Sequence, residues 1–195
     1  MIEDSTRKAG VFVDRDGTLI KEVGYLRRLE QIEVLPRVPE AIQLLREQGL
    51  KVAVVTNQSA VARGFITEDM LRQIHQELKE QLARRGAYLD GIYYCPHHPT
   101  EGMDSYRIPC DCRKPNVGMA RRAAADLNLD FSRSYVVGDQ SRDMELATRI
   151  GAKGILISSG NGVGSEQVPT SGLLAVRDLW EAAQWVIQDL HSRKR

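Results

Sequence analysis

Short runs of β-branched residues alternate along this chain with longer segments whose apolar residues recur at helical spacing. This alternation is the strongest constraint on the fold, because consecutive strand–helix units form a parallel sheet with helices on both faces. Strands are predicted over residues 11–13, 51–55, 91–94, 135–137 and 154–157. Helices are predicted over residues 38–48, 67–86, 119–127, 141–151 and 178–190, with Thr67 and Ser141 as N-caps.

The composition is that of an ordinary globular domain. The 195 residues, of which 42% are hydrophobic, predict a single domain over residues 1–195 that needs no disulfides to fold. The net charge of +1 argues against a general nucleic-acid binder. No apolar run approaches the roughly 20 residues that cross a bilayer, and residues 1–10 lack the apolar core of a signal peptide. We therefore expect a cytoplasmic protein with no membrane contact.

Acidic side chains follow two strands of the predicted sheet. Asp14 and Asp16 come after the first strand and Asp139 after the fourth, while Thr56 follows the second. Ligands of open parallel sheets bind beyond the carboxyl ends of the strands. A single aspartate there is usually a turn former or a helix cap, but three together indicate a site. Clustered carboxylates need a cation, and hard oxygen ligands suit Mg²⁺.

A lysine lies where a loop can return over these carboxylates. Lys114 falls between the third and fourth predicted strands. A lone lysine is usually exposed on the surface. Here its ammonium can balance the charge of the aspartates and of a phosphoryl group bound beside them.

Cysteines and histidines bracket an irregular stretch, residues 95–112. Cys95 and His97 open it, and Cys110 and Cys112 close it. Three thiolates and one imidazole are the ligands of a closed, structural zinc site, which would explain how so irregular a segment is ordered. His98 is an alternative ligand to His97. The alternative interpretation is that the cysteines are inert and the histidines lie on the surface or bind phosphate.

Four motifs, in order over nearly the whole chain, resemble the haloacid dehalogenase superfamily of phosphatases. They are Asp14-Arg15-Asp16-Gly17-Thr18, Thr56-Asn57, Lys114-Pro115, and Gly138-Asp139 followed by Asp143. The resemblance implies a Rossmann-like parallel sheet and hydrolysis through an aspartyl-phosphate.

The same resemblance implies roles for individual residues. Asp14 attacks phosphorus, and Asp16 protonates the leaving oxygen and then activates water. Thr56 and Lys114 bind the transferring phosphoryl group. Mg²⁺ is held by Asp14, the backbone carbonyl of Asp16, and Asp139. Asp143 either supports the metal site or caps the following helix.

Within that superfamily, residues 93–99 and 110–115 resemble the D-glycero-D-manno-heptose 1,7-bisphosphate 7-phosphatases, which remove the C7 phosphate during the assembly of lipopolysaccharide or other surface glycans. Gly24-Tyr25, Thr56-Asn57-Gln58-Ser59 and Ala62-Arg63-Gly64 add to this resemblance. It implies a monomer with a zinc-bound loop and no large cap domain. It also implies that a sugar bisphosphate is bound by Glu22, Val23, Gly24, Tyr25, Asn57, Gln58, Ser59, Arg63, Arg113 and Gln140. One departure is Gln140, because the family often has lysine there.

Two other functions remain open at this point. Histidinol-phosphate phosphatases share the zinc loop, but their substrate lacks the second phosphate that Arg113 would bind. A zinc-binding module for nucleic acid or protein is suggested by the basic residues 191–195. A charged terminus is usually a solvated tail, however, and such a module would need neither Asp14 nor Asp16.

Overall fold

Six strands form one fully parallel sheet in the computed structural model, which describes residues 7–103, 105–158 and 174–193. The strand order is β3-β2-β1-β4-β5-β6. The strands are β1 (Gly10–Val13), β2 (Lys51–Asn57), β3 (Gly91–Cys95), β4 (Tyr135–Gly138), β5 (Lys153–Ile157) and β6 (Leu174–Val176). The predicted Rossmann-like parallel sheet is confirmed.

Five helices cover the two faces of this sheet. They are α1 (Val38–Glu47), α2 (Glu68–Ala83), α3 (Gly118–Leu127), α4 (Ser141–Ile150) and α5 (Leu179–Ser192). Alternate side chains of each strand point to opposite faces, so Val11 and Val13 pack with α1, α2 and α5. Phe12, between them, packs with α3 and α4 on the other face. The prediction of helices on both faces is therefore also confirmed.

Several elements differ from the prediction in their boundaries or their number. Ser141 is the first residue of α4 and not its N-cap, because Gln140 has the extended backbone of a cap. Strand β2 continues through Asn57, so Thr56 lies inside the strand. Strand β6 was not predicted, because three residues of modest apolarity give no clear periodicity. Thr67, by contrast, caps α2 and accepts a hydrogen bond from the Met70 amide.

The strand order reverses direction between β1 and β4, which are neighbours in space although far apart in sequence. Ligands bind at such a switch point because the connecting loops diverge there and leave a crevice. Asp14 follows β1 and Asp139 follows β4, so both carboxylates lie at the head of this crevice.

The described connections near this crevice are loops, and they form no separate cap domain. Residues 14–37 hold only a short 3-10 turn, and residues 96–117, apart from the undescribed residue 104, hold no strand or helix. No helix of the described ranges is long and apolar enough to cross a membrane. The start of the polar segment 1–10 (residues 1–6) and the end of the basic tail (residues 194 and 195) lie outside the described residues.

Candidate active site

A buried lysine lies between two buried aspartates at the switch point. The Lys114 Nζ is 3.0 Å from the Asp14 Oδ1 and 2.7 Å from the Asp143 Oδ1, and the Lys114 and Asp143 side chains are fully buried. Asn57 holds Lys114 in place, because its side chain bonds both to the backbone amide and to the carbonyl of that lysine. All four motifs thus converge through both side chains and backbone.

The three carboxylates of Asp14, Asp139 and Asp143 can reach one metal ion. Their ligand oxygens lie within 4.8 Å of one another, and all three residues are buried. Burial, and then repulsion from Asp14, raises the pKa of Asp139 to about 6. Burial also raises the pKa of Asp143, which Lys114 only partly offsets. A hard divalent cation would relieve this repulsion, so the donor set fits Mg²⁺.

Asp143 caps the start of α4, one of the two functions that its sequence position left open, and it also pairs with Lys114. One carboxylate oxygen, Oδ2, accepts a hydrogen bond from the Gln140 backbone amide at the start of α4. The other, Oδ1, pairs with Lys114. Burial by itself would lower the pKa of Lys114, but the attraction of Asp14 and Asp143 outweighs it, and the net shift is upward. The lysine is therefore charged at neutral pH.

Gly17 allows the first and fourth strand ends to approach each other. Its φ of +73° is in the left-handed region, where residues with a side chain are strained. A Cβ at this position would lie 2.2 Å from Asp139 Oδ2, which is far inside van der Waals contact. Any side chain here would displace the Asp139 carboxylate from the acidic cluster.

The Asp16 carboxylate is held by Arg15 and Gln58. The Arg15 guanidinium donates to both carboxylate oxygens of Asp16, at 3.0 to 3.1 Å. Gln58 Nε2 donates to Asp16 Oδ2 at 2.8 Å and to Thr56 Oγ1 at 2.9 Å. Gln58 Oε1 in turn accepts from Arg15 at 2.8 Å. One network therefore fixes the orientation of Asp16 and Thr56 together.

Behind this network lies His75 of α2, which the sequence did not single out. Its Nε2 is 3.2 Å from an Arg15 guanidinium nitrogen. Burial, followed by repulsion from Arg15 and Lys79, lowers the pKa of His75 to about 3. The ring is therefore neutral at physiological pH. Because a guanidinium can only donate, Nε2 must be the unprotonated, accepting nitrogen.

The buried His75 predicts a specific loss of stability in acid. Its pKa is about 3 when folded and 6.5 when unfolded, so the unfolded chain binds the extra proton as the pH falls below 6.5. We expect His75 to reduce the free energy of unfolding by about 2 kcal/mol between pH 6.5 and pH 5. Urea unfolding of the wild type and of His75→Gln across this range measures the effect. Parallel pH profiles for the two proteins would contradict the assignment.

A cavity of about 420 Å³ opens above the buried aspartates. Most of the substrate-binding residues proposed from sequence line it, namely Glu22, Gly24, Tyr25, Asn57, Gln58, Ser59, Arg63, Arg113 and Gln140. Val23 does not line it and is 38% exposed. Lys114 lies beneath the cavity, buried between carboxylates. His98 and Arg142 also line the cavity and were not among the residues predicted to bind substrate.

The cavity lining carries charges of both signs. Glu22 accepts a hydrogen bond from the Gly24 amide at 2.5 Å, and burial and the nearby Asp16 raise the pKa of Glu22. Arg63 forms an ion pair with Glu101. Arg113 donates to the His97 carbonyl at 3.1 Å. The pocket therefore combines an acidic floor with arginines on its wall.

The irregular loop brings three thiols and one imidazole together. Cys95 and Cys112 each lie within 3.5 Å of the Cys110 sulfur, and His97 Nδ1 is 3.4 Å from Cys112 Sγ. Ligands of a tetrahedral zinc ion with Zn–S bonds of about 2.3 Å are separated by about 3.8 Å. The three separations here, 3.3 to 3.5 Å, are somewhat shorter, and the four ligand atoms are near enough to share one ion. The histidine in the cluster is His97. The His98 ring instead accepts hydrogen bonds from the backbone amides of residues 100 and 101.

Comparison with known proteins agrees with this geometry. The family model for haloacid dehalogenase-like hydrolases matches residues 11–84, and a HAD-hydrolase-like model matches residues 111–182. The chain is 40% identical over 166 residues to the D-glycero-beta-D-manno-heptose-1,7-bisphosphate 7-phosphatase of Photorhabdus laumondii, covering 84% of this chain and 88% of that protein. The chain belongs to this phosphatase family.

Two further comparisons extend the family relationship. The phosphatase of the same name from Pasteurella multocida is 46% identical over 137 residues, which cover 70% of this chain and 74% of that protein. A crystal structure of D,D-heptose 1,7-bisphosphate phosphatase from B. bronchiseptica, complexed with magnesium and phosphate, aligns with a TM-score of 0.81 at 30% identity. It covers 93% of this chain and 99% of that one. As a member of the heptose-bisphosphate phosphatase family, the chain is a HAD-type phosphatase.

Proposed function

We propose that this enzyme hydrolyses the C7 phosphate of D-glycero-D-manno-heptose 1,7-bisphosphate. The observation that carries the proposal is the buried Asp14–Lys114–Asp143 ion cluster beneath a cavity that also holds arginines. The cluster supplies a fixed nucleophile, and the arginines supply charge for a second phosphate. The names of the relatives in Photorhabdus and Pasteurella support the same substrate.

The proposed reaction has two displacements at phosphorus. A carboxylate oxygen of Asp14 attacks, the bond from phosphorus to the C7 oxygen breaks, and Asp16 gives its proton to that oxygen. Water then attacks the phosphorus of the aspartyl-phosphate, Asp16 takes a proton from the water, and phosphate leaves. Lys114 and Thr56 neutralise and orient the phosphoryl oxygens in both steps.

Mg²⁺ is the cation that we propose for the acidic cluster. Asp14, the backbone carbonyl of Asp16, and Asp139 would hold it, with Asp143 beside them. When bound, it supplies charge neutralisation to the transferring phosphoryl group. The protein's own contribution is to place Asp14 beside Lys114 and to hold Asp16 with Arg15 and Gln58.

The cluster of Cys95, His97, Cys110 and Cys112 is proposed as a structural zinc site. Four protein ligands leave no open coordination position, so zinc would take no part in the chemistry. Its effect would be to order the loop that carries Arg113 and Lys114. Only one residue, Arg113, separates the cysteine cluster from Lys114, so metal binding would act directly on the position of this lysine.

Loss of one thiol tests the zinc proposal. We expect Cys110→Ala to bind less than one tenth of the wild-type zinc, to unfold at a lower temperature and to lose activity indirectly, because metal binding contributes folding free energy. Zinc content by mass spectrometry is the measurement. His98→Ala is the matched control and should keep its zinc, since His98 lies outside the cluster. Full zinc and full activity in Cys110→Ala would refute the site.

The function is tested by phosphate release with Mg²⁺ from heptose 1,7-bisphosphate, heptose 7-phosphate and histidinol phosphate, side by side. We expect the highest kcat/KM for the bisphosphate. A preference for histidinol phosphate would keep the phosphatase chemistry but assign the enzyme to histidine synthesis. Release from none of the three, with tight salt-dependent binding to nucleic acid, would favour a zinc-binding interaction module instead.

The remaining parts of the proposal concern the setting of the enzyme. We propose a monomer of one domain in the cytoplasm, with a small sugar bisphosphate as its ligand and no nucleic acid or membrane partner. The net charge of +1 supports the absence of nucleic-acid binding. Sedimentation at micromolar concentration tests the monomer.

A further inference from the structure

Three arginines line the cavity that also contains Asp14: Arg63, Arg113 and Arg142. Asp14 is only 8% exposed, whereas Arg142 is exposed. The negative charge of Asp14 therefore lies deep in the cavity, and the positive charge of Arg142 lies nearer to solvent. Guanidinium groups that line the same cavity repel each other unless an anion lies among them. Their planar donors suit phosphate in particular.

The three arginines differ in what already binds them. Arg63 is paired with Glu101, and Arg113 donates to the His97 carbonyl. Arg142 forms no ion pair and no side-chain hydrogen bond with any described residue of the chain. Its guanidinium is therefore the one of the three whose donors are all available to a ligand.

Arg113 and Arg142 line the same cavity, and Arg113 is partly buried. Two cations at one cavity, one of them partly buried, form a site that an anion would stabilise.

The neighbouring Gln140 does not supply this charge. Its side chain is neutral. Its Nε2 donates to Asp139 Oδ2 at 3.1 Å, so this group is directed at the acidic cluster. Arg142, two residues later in the first turn of α4, carries the positive charge of this segment instead.

We propose that Arg142 determines specificity by binding, together with Arg113, the substrate phosphate that is not cleaved. This inference rests on the proposed function, since it requires a bisphosphate substrate. The C7 phosphate would enter the acidic floor and the C1 phosphate would remain at the arginines.

Substitution of Arg142 tests the proposal with two substrates that differ only in the C1 phosphate. We expect Arg142→Gln to lower kcat/KM for heptose 1,7-bisphosphate by about 10- to 100-fold, the usual effect of losing a charged hydrogen bond. We expect less than a threefold change for heptose 7-phosphate. Arg142→Lys should retain part of the activity toward the bisphosphate. Arg121→Gln, an exposed arginine of α3 outside the cavity lining, is the matched control and should match the wild type on both substrates.

A binding measurement makes the test independent of turnover. Heptose 1-phosphate, the sugar product, carries only the phosphate that Arg142 would bind. Calorimetric titration should show weaker binding to Arg142→Gln than to the wild type and to Arg121→Gln. Unchanged binding and unchanged kcat/KM for the bisphosphate would overturn the proposal, and equal losses on both substrates would assign Arg142 a general role.

Failure of this inference can be separated from failure of the proposed function. If the wild type prefers the bisphosphate and Arg142→Gln keeps that preference, the function stands and Arg142 is not its determinant. If the wild type has no preference for the bisphosphate over heptose 7-phosphate, the proposed substrate is wrong and the inference falls with it.

Discussion

Replacing Asp14 by asparagine is expected to lower kcat by more than about 10³-fold, because an amide cannot serve as the nucleophile. The fold should remain intact. Lys114 keeps its ion pair with Asp143, and one of the charges that raise the pKa of Asp139 is removed. Phosphate release and thermal unfolding, measured on the same preparation, give the two readouts.

A covalent intermediate gives a sharper test of the same assignment. Wild-type enzyme quenched in acid during turnover should carry phosphate on the peptide that contains Asp14, and Asp14→Asn should carry none. Asp16→Asn is the matched control. With p-nitrophenyl phosphate, whose leaving group needs no proton, it should still form the intermediate and then hydrolyse it slowly. Phosphate release by Asp14→Asn at even one tenth of the wild-type rate would exclude this nucleophile.

Replacing Lys114 by methionine should be the most destabilising change at this site. The substitution leaves Asp14 and Asp143 buried without their cation, and breaking a buried pair in this way costs about 3–5 kcal/mol. Activity should fall as well, because the phosphoryl oxygens lose their ammonium. Urea unfolding without metal at pH 8, together with phosphate release, measures both effects.

The loss of stability in Lys114→Met should depend on pH with a defined sign. Burial already raises the pKa of Asp143, and removal of the lysine raises it further. The folded variant then binds a proton more readily than the unfolded chain, so its stability relative to the wild type should recover as the pH falls from 8 toward 5. Adding Asp143→Asn to Lys114→Met should recover part of the loss at pH 8. A double variant as unstable as Lys114→Met alone would contradict the ion-pair explanation.

The sheet and the meeting point of the motifs could be predicted from sequence for a simple geometric reason. In a parallel α/β sheet, every strand ends at the same edge, so a residue's position after a strand fixes its place in the crevice. Asp14 and Asp139 could therefore be brought together without any knowledge of side-chain contacts. The cysteine cluster could be predicted because three cysteines and a histidine at both ends of one short segment are typical of a metal site.

Residues that act through side-chain direction could not be predicted in this way. Arg15 lies inside a motif, yet only the structure shows that its guanidinium holds Asp16. His75 is one of many polar residues on α2, and nothing in its spacing indicates that it faces Arg15. Arg142 shares the first turn of α4 with Ser141, and the sequence does not tell which of them faces the cavity. Val23 was predicted to bind substrate but does not line the cavity, although its neighbours Glu22 and Gly24 do.

Cys112, Arg113 and Lys114 are consecutive, so the proposed metal binding, substrate binding and catalysis depend on one short segment. The first residue is a proposed zinc ligand, the second lines the cavity, and the third pairs with Asp14, the proposed nucleophile. No spacer between them can absorb a displacement of the loop. We therefore expect the active fraction of a preparation to follow its zinc content, so that a cell short of zinc would make the same number of chains but fewer working enzymes.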